Sequence, residues 1–216
     1  MESAAGSPEV DTGDEMQGGS VVYRYTPRPH TIYLNITNQC SNSCIFCVRN
    51  YSLGLSGYRL WLDREPSIDE VWRKFKEEIK ESDDEVVFCG FGEPTMRLDV
   101  VLELTRRLKR QYPNLRIRLN TDGLAQLRSK GRNVAEELRG AGLDSISISL
   151  NAENEQKYEM LCRPSLKGSY EAVLAFARDC RRYFPQVTLT VVDLAEVDLL
   201  ECRRISRELG CEFRVR

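Results

Sequence analysis

A chain of 216 residues, 41% hydrophobic and 30% charged, has the composition of one ordinary globular domain. Its formal net charge of −2 supplies no field that would draw a nucleic-acid backbone or an anionic membrane surface. No stretch approaches the ~20 apolar residues of a membrane span, and the first residues lack the basic region and apolar core of a secretory signal. Eight cysteines without an export signal point to reduced or metal-bound thiols in the cytoplasm, not to a disulfide scaffold.

In chain order, residues 1–20 combine Gly, Ser and Ala with Glu2, Glu9, Asp11, Asp14 and Glu15 and contain no Lys or Arg. Such a segment buries too little apolar area to offset the entropy of ordering, so a disordered acidic tail is expected there and a single domain over 21–216. Pro27 and Pro29 argue against helix in the segment 20–29.

From His30 onward, β-branched runs alternate with helical periodicity. Strands are predicted over 31–37, 85–89, 115–120, 145–150, 187–192 and 211–216. Helices are predicted over 68–80, 98–111, 133–141, 169–184 and 198–209. Ser67 followed by Glu70 is a capping box that starts the first helix, and Tyr112-Pro113-Asn114 stops the second. This alternation implies βαβ units and a parallel sheet. A closed eight-unit barrel takes about 250 residues, more than the segment from His30 to Arg216 offers. The predicted fold is therefore α/β, a partial (β/α)6 barrel with a parallel six-stranded sheet, with a flat doubly wound sheet as the alternative.

Cys40, Cys44 and Cys47 form a C-x3-C-x2-C run directly after the first predicted strand. Three thiolates on one loop can hold three irons of a 4Fe–4S cluster. Most iron–sulfur carriers use four cysteines, so a missing fourth leaves one iron open to a substrate or cofactor. Structural zinc is the competing reading, but zinc wants four closed ligands in paired units. His30 is the only histidine, and the remaining cysteines form no second C-x2-C pair.

Other polar or glycine-rich stretches fall at the C-terminal strand ends, where parallel α/β folds gather function. Gly90-Phe91-Gly92-Glu93-Pro94 follows the second strand, Asn120 ends the third, and Ser149 and Asn151 end the fourth. Glycines let a ligand approach the backbone closely. Asn and Ser side chains suit an amino acid moiety or ribose hydroxyls. Arg214 and Arg216, two apart on the last strand, face one side and could bind an anionic substrate if that side is interior.

Together the cysteine run, the Gly90–Pro94 turn and the later strand ends resemble the radical S-adenosylmethionine (radical SAM) superfamily. The resemblance implies Cys40, Cys44 and Cys47 as ligands of a 4Fe–4S cluster whose open iron chelates S-adenosylmethionine. One electron then cleaves the sulfonium bond, giving a 5′-deoxyadenosyl radical that abstracts hydrogen from the substrate. Gly90, Gly92 and Glu93 would receive the methionine amino group through the backbone. Asn120, Ser149 and Asn151 would touch methionine or ribose, and Arg163 could pair with the carboxylate. Phe91 stands where the family commonly has another glycine, a change that backbone contacts would tolerate.

More narrowly, the chain resembles the radical SAM proteins associated with TatD-type hydrolases, through Leu34–Cys40, Gly57–Leu62, Val86–Arg97, Leu119–Leu124, Leu161–Pro164 and the 211–216 end. The implied partners are an electron donor such as a flavodoxin or ferredoxin, and a TatD-type hydrolase. Two alternatives stay open: an activase that installs a glycyl radical on a partner enzyme, and a non-catalytic iron–sulfur electron-transfer protein.

Overall fold

The computed structural model describes residues 18–216. The expectation for the acidic tail falls largely outside them. The described part begins inside that predicted tail: Ser20 already donates its backbone N–H to the Arg59 carbonyl at 2.7 Å.

Nine strands and seven α-helices follow in chain order: β1 (Val22–Tyr25), β2 (Arg28–Leu34), β3 (Gly54–Leu55), β4 (Tyr58–Arg59), α1 (Ile68–Glu78), β5 (Glu85–Phe88), α2 (Leu98–Gln111), β6 (Arg116–Thr121), α3 (Ala125–Arg128), α4 (Val134–Ala141), β7 (Ser145–Ser149), α5 (Glu155–Cys162), α6 (Ser169–Tyr183), β8 (Gln186–Val191), α7 (Leu199–Glu208) and β9 (Glu212–Val215). The fold is α/β. The main sheet has seven strands in the order β1-β2-β5-β6-β7-β8-β9, and β3 pairs with β4 in a small hairpin. The six predicted strands are all present and parallel to one another. The prediction of six strands is corrected to seven, because β1 adds antiparallel to β2. That hairpin lies in the segment where Pro27 and Pro29 argue against helix, and no helix forms there. Pro29 fits because it sits near the start of β2, beside the register shift at Arg24 and Tyr25.

The helices missed in the sequence are α3 and α5, of 4 and 8 residues. Pieces this short carry little periodicity of their own and depend on packing to persist.

Alternate residues of each parallel strand point to opposite faces. Val86, Phe88, Ile117, Leu119, Ile146, Ile148, Val187 and Leu189 turn to one face and join the core that the helices cover. The other face is divided. Toward β1 and β2 it is apolar, with Tyr23, Tyr33, Leu60, Val87 and Phe91 packed together. Toward β9 it carries Arg118, Ser145, Ser147, Thr188 and Arg214, and that polar half leads up to the functional loops.

Helix α1 shows how the outer layer is held. Ser67 Oγ accepts from the Glu70 backbone N–H at 3.1 Å, so the predicted cap is present. Phe75, 1% exposed, stacks on Trp72 at 5.8 Å and meets the edge of Tyr112 at 5.5 Å. Phe75→Ala should cost about 3–5 kcal/mol of unfolding free energy, from lost burial and an unfilled cavity. Ser67→Ala should cost about 1 kcal/mol. Urea denaturation of both variants checks the ranking.

Candidate functional site

Every cluster or cofactor residue selected from the sequence except Arg163 lines one cavity above the C-terminal strand ends, as does Arg216, whereas Arg214 lies outside it. Cys40, Cys44 and Cys47 reach it from the loop after β2, and Gly90, Gly92 and Glu93 from the turn after β5. Asn120 comes from β6, Ser149 from β7, and Asn151 from just beyond β7. Because parallel strands in register end at one level, residues more than a hundred positions apart converge without any local signal.

The cysteine loop has no regular structure between β2 and the 3-10 turn Val48–Asn50, so its shape is set by what grips it. Asn38 clasps the chain after β4, donating to the Leu62 carbonyl at 2.7 Å and accepting from the Leu62 N–H at 3.1 Å. On the other flank, the backbone N–H groups of Ser43 and Ile45 donate to the carbonyls of Cys162 and Leu161 at 3.0 and 2.9 Å. Those carbonyls belong to the last turn of α5, which leaves its terminal acceptors free for partners. The unpredicted helix therefore serves to hold the cysteines.

This arrangement corrects the expectation for Arg163. It caps α5 in the left-handed conformation (φ 46°), its side chain is exposed, and it does not line the cavity. The arginine that does line it is Arg216, which donates to Ser149 Oγ at 3.1 Å. The sequence signal for it was the two-residue spacing with Arg214.

Glu93 is also placed differently from the simple expectation of a turn residue. Its carboxylate is 4% exposed and turned into the protein. It accepts from Thr95 N at 2.9 Å, Thr95 Oγ1 at 2.5 Å, Thr121 Oγ1 at 2.8 Å and Asp122 N at 2.6 Å. Burial, then the adjacent Asp122 carboxylate, hold its pKa above the ordinary carboxylate value, while Arg128 pulls the other way. Arg128 grips Asp122 with two nitrogens, at 2.9 and 3.1 Å, and reaches Ser41 Oγ at 2.5 Å. One buried network thus joins the cysteine loop, the glycine turn and the end of β6. Only the backbone of the turn is left for a ligand.

The turn is tight. A Cβ on Gly90 would collide with Asn35 Oδ1, and one on Gly92 would strike the carbonyls of Thr37 and, at 2.6 Å, Gln39. Gly90 is therefore required by the Asn35 side chain and Gly92 by the backbone that leads into the cysteine loop. Phe91 is 4% exposed and packs edge-on against Trp61 at 5.7 Å, so the non-glycine residue is accommodated by an aromatic partner.

Two buried acceptors open on the cavity without partners among the described residues: Asn42 Oδ1 and Asn151 Oδ1. Asn151 is 4% exposed and holds a left-handed backbone (φ 59°), a conformation that Asn tolerates better than most residues. Its Nδ2 faces Cys162 Sγ at 3.7 Å, which leaves Oδ1 for a donor on a ligand. Cys162 is fully buried, and its contact with Cys44, followed by burial, pushes the Cys44 thiol up. Burial pushes the Cys40 thiol up to about 12. Cys89, just beyond β5, is half-buried and lines the cavity. Among the described residues no group of three or more His, Cys, Asp or Glu side chains is gathered closely enough to hold one metal ion. No described helix is long and apolar enough to cross a membrane.

Comparison with known proteins agrees with this geometry. Residues 34–199 match the Radical SAM superfamily. A protein of Pyrococcus horikoshii named "Probable GTP 3′,8-cyclase" is 33% identical over 135 residues, covering 62% of this chain and 38% of that protein. A Synechococcus protein named "Probable dual-specificity RNA methyltransferase RlmN" is 28% identical over 155 residues, covering 71% of this chain and 42% of that protein. The chain thus spans less than half the length of these relatives. Among solved structures, Streptococcus suis SuiB bound to its precursor peptide SuiA superposes with a TM-score of 0.65 at 17% identity, over 87% of this chain and 39% of that one. At that identity the likeness is one of fold.

The contacts of the turn define two variants. Gly92→Ala should displace the cysteine loop, lowering both the melting temperature and the iron retained after anaerobic reconstitution. Glu93→Ala should cost roughly 3 kcal/mol or more, because it strands several buried donors around a lost carboxylate. Thermal unfolding and iron analysis of the two variants check this.

Proposed function

Because the chain belongs to the Radical SAM superfamily, whose cofactors are a 4Fe–4S cluster and S-adenosylmethionine, we propose that it is an enzyme that abstracts hydrogen from a small-molecule or peptide substrate. In this reading the six parallel strands form the partial (β/α)6 barrel of the family. The relatives carry names for different reactions, so what they share is the cofactor chemistry and not a substrate. The observation that carries the proposal is the pair of unpartnered, buried acceptors, Asn42 Oδ1 and Asn151 Oδ1, opening on the same cavity as the three cysteines. Burying an acceptor with nothing to accept from costs free energy that a bound ligand recovers.

Cys40, Cys44 and Cys47 are the cluster ligands in this proposal, and because the C-x3-C-x2-C run has no fourth member, one iron would be left for the cofactor. When bound, the cluster supplies the electron that splits S-adenosylmethionine into methionine and a 5′-deoxyadenosyl radical. The bare backbone at Gly90 and Gly92 admits the methionine end. Asn151 Oδ1 accepts from a cofactor donor such as a ribose hydroxyl, and Asn120 and Ser149 line the same wall. Arg216, in place of Arg163, supplies the cation for the methionine carboxylate. Phe46, Phe91 and Pro94 give the cavity apolar walls that limit water around a reactive radical. The electron comes from a donor such as a flavodoxin or ferredoxin, and association with a TatD-type hydrolase belongs to the same reading.

Anaerobic reconstitution should load about four irons per chain, and Cys40→Ala, Cys44→Ala or Cys47→Ala should each abolish the colour. Reduced protein should form 5′-deoxyadenosine without substrate, counted by chromatography. Asn151→Ala should weaken cofactor binding by about 1–2 kcal/mol, read by calorimetry. An intact, reduced cluster that neither binds nor cleaves the cofactor would overturn the proposal in favour of an electron-transfer protein.

A further inference from the structure

Beneath the cofactor cavity, on the polar half of the same sheet face, lies a second pocket of about 330 Å³ between the lower halves of β5, β6, β7, β8 and β9. Four arginines line it (Arg28, Arg116, Arg118 and Arg214) against two carboxylates, Glu85 and Glu212. The charges are unevenly paired. Arg118 takes Glu85 with two nitrogens, at 2.9 and 3.0 Å, and Arg28 and Arg116 each stand 3.9 Å from that same carboxylate. Glu212 is engaged by neutral donors, Gln186 Nε2 at 3.0 Å and Thr188 Oγ1 at 3.0 Å. Arg214 forms no ion pair among the described residues. Its one side-chain hydrogen bond is a long one, 3.4 Å to Ser147 Oγ.

A guanidinium has five N–H donors, so most of those on Arg214 are unused. Burial, with Arg118, Arg28 and Arg216 nearby, holds its pKa below the ordinary arginine value. A second, independent feature points the same way. Ser145 is 2% exposed, lines this pocket, and its Oγ has no hydrogen-bond partner. The hydroxyls of Ser147 and Ser149, farther up the same face of β7, are met by Arg214 and Arg216, whereas that of Ser145, a residue lining the pocket, has no partner among the described residues. A half-buried cation without a counterion and a buried hydroxyl without a partner are both unfavourable alone, and one oxyanion satisfies both.

We propose that this lower pocket seats an oxyanionic group of the substrate, a phosphate or a carboxylate, with Arg214 as its ion-pair partner and Ser145 as a hydrogen-bond donor. The inference rests on the reading that the upper cavity holds the cofactor, because Arg214 on β9 lies two residues before Arg216, which stands just past the strand end, a step of about 7 Å along extended chain. A substrate anchored by its anionic end at Arg214 extends up the sheet face toward Gly90 and the cysteine loop. The enzyme would thus select molecules with an anion a few bonds from the carbon that loses hydrogen.

The test is calorimetric titration of the reconstituted chain at low ionic strength with pyrophosphate and, separately, citrate. Saturable one-to-one binding of either is expected, pyrophosphate marking a phosphate site and citrate a carboxylate site. Arg214→Met should weaken it at least roughly tenfold, Arg214→Lys less so, and Ser145→Ala several-fold. Arg182→Gln, an equal charge change on the exposed end of α6, should leave binding as in the wild type. Should Arg214→Met fail to fold by circular dichroism, Ser145→Ala carries the comparison. Absence of saturable binding by both anions, or equal weakening by Arg182→Gln, would overturn the inference. Cofactor cleavage is measured on the same wild-type preparation. Cleavage without anion binding overturns this inference and leaves the proposed chemistry standing, whereas anion binding without cleavage overturns the proposed chemistry, and with it the role of the anion site as a substrate seat.

Discussion

The buried carboxylate of Glu93 is the constraint on which the site depends. A carboxylate at 4% exposure is costly unless donors surround it. Here Thr95, Thr121 and the Asp122 N–H supply them, each from a different point on the turn after β5 or the end of β6. The backbone N–H of Glu93 also donates to the Gln39 carbonyl at 2.8 Å, and that of Gly92 to the Thr37 carbonyl at 3.0 Å. The glycine turn cannot move without carrying the entrance of the cysteine loop with it. The side chain does structural duty so that the backbone beside it stays available to a ligand.

Around that hub the cysteine loop is fastened on two sides by groups that would otherwise lack partners. The terminal carbonyls of α5 accept from Ser43 and Ile45, and Asn38 exchanges two hydrogen bonds with Leu62. An irregular loop needs its polar backbone satisfied by something. Here the solution also sets where three thiols point. Tyr51 and Asn50 add further ties, donating to the carbonyls of Ile45 and Cys44 at 2.6 and 3.0 Å.

The sheet separates stability from chemistry. Its outer face is a continuous apolar layer under the helices, while the inner face changes from tyrosines and valine near β1 to arginines and serines near β9. The polar half sits directly below the cavity that gathers the strand-end residues. The fold has carried charge into its interior at a cost in desolvation, and that cost falls where a substrate would lie.

The sequence by itself determined most of the element types, the parallel pairing and the cysteine loop, while the strand order came from the structure. Periodicities of two and 3.6 residues, the Ser67 cap and the C-x3-C-x2-C spacing are local properties of the chain. It also brought most of the cavity residues forward, since strand ends of a parallel sheet share one level. Tertiary structure alone decided the rest. β1 owes its existence to pairing with β2, and α5 to the carbonyls it lends the cysteine loop. Arg163 looked suitable by its position after the fourth predicted strand, yet a left-handed cap turned it to solvent and left Arg216 facing the cavity. Glu93 read as a turn residue and proved to be a buried anchor. For α5 and Glu93 the deciding partners include residues tens of positions away, while β1 pairs with the strand that directly follows it. Which carboxylate or arginine is buried depends on the charges that distant strands bring beside it, and no local spacing encodes that.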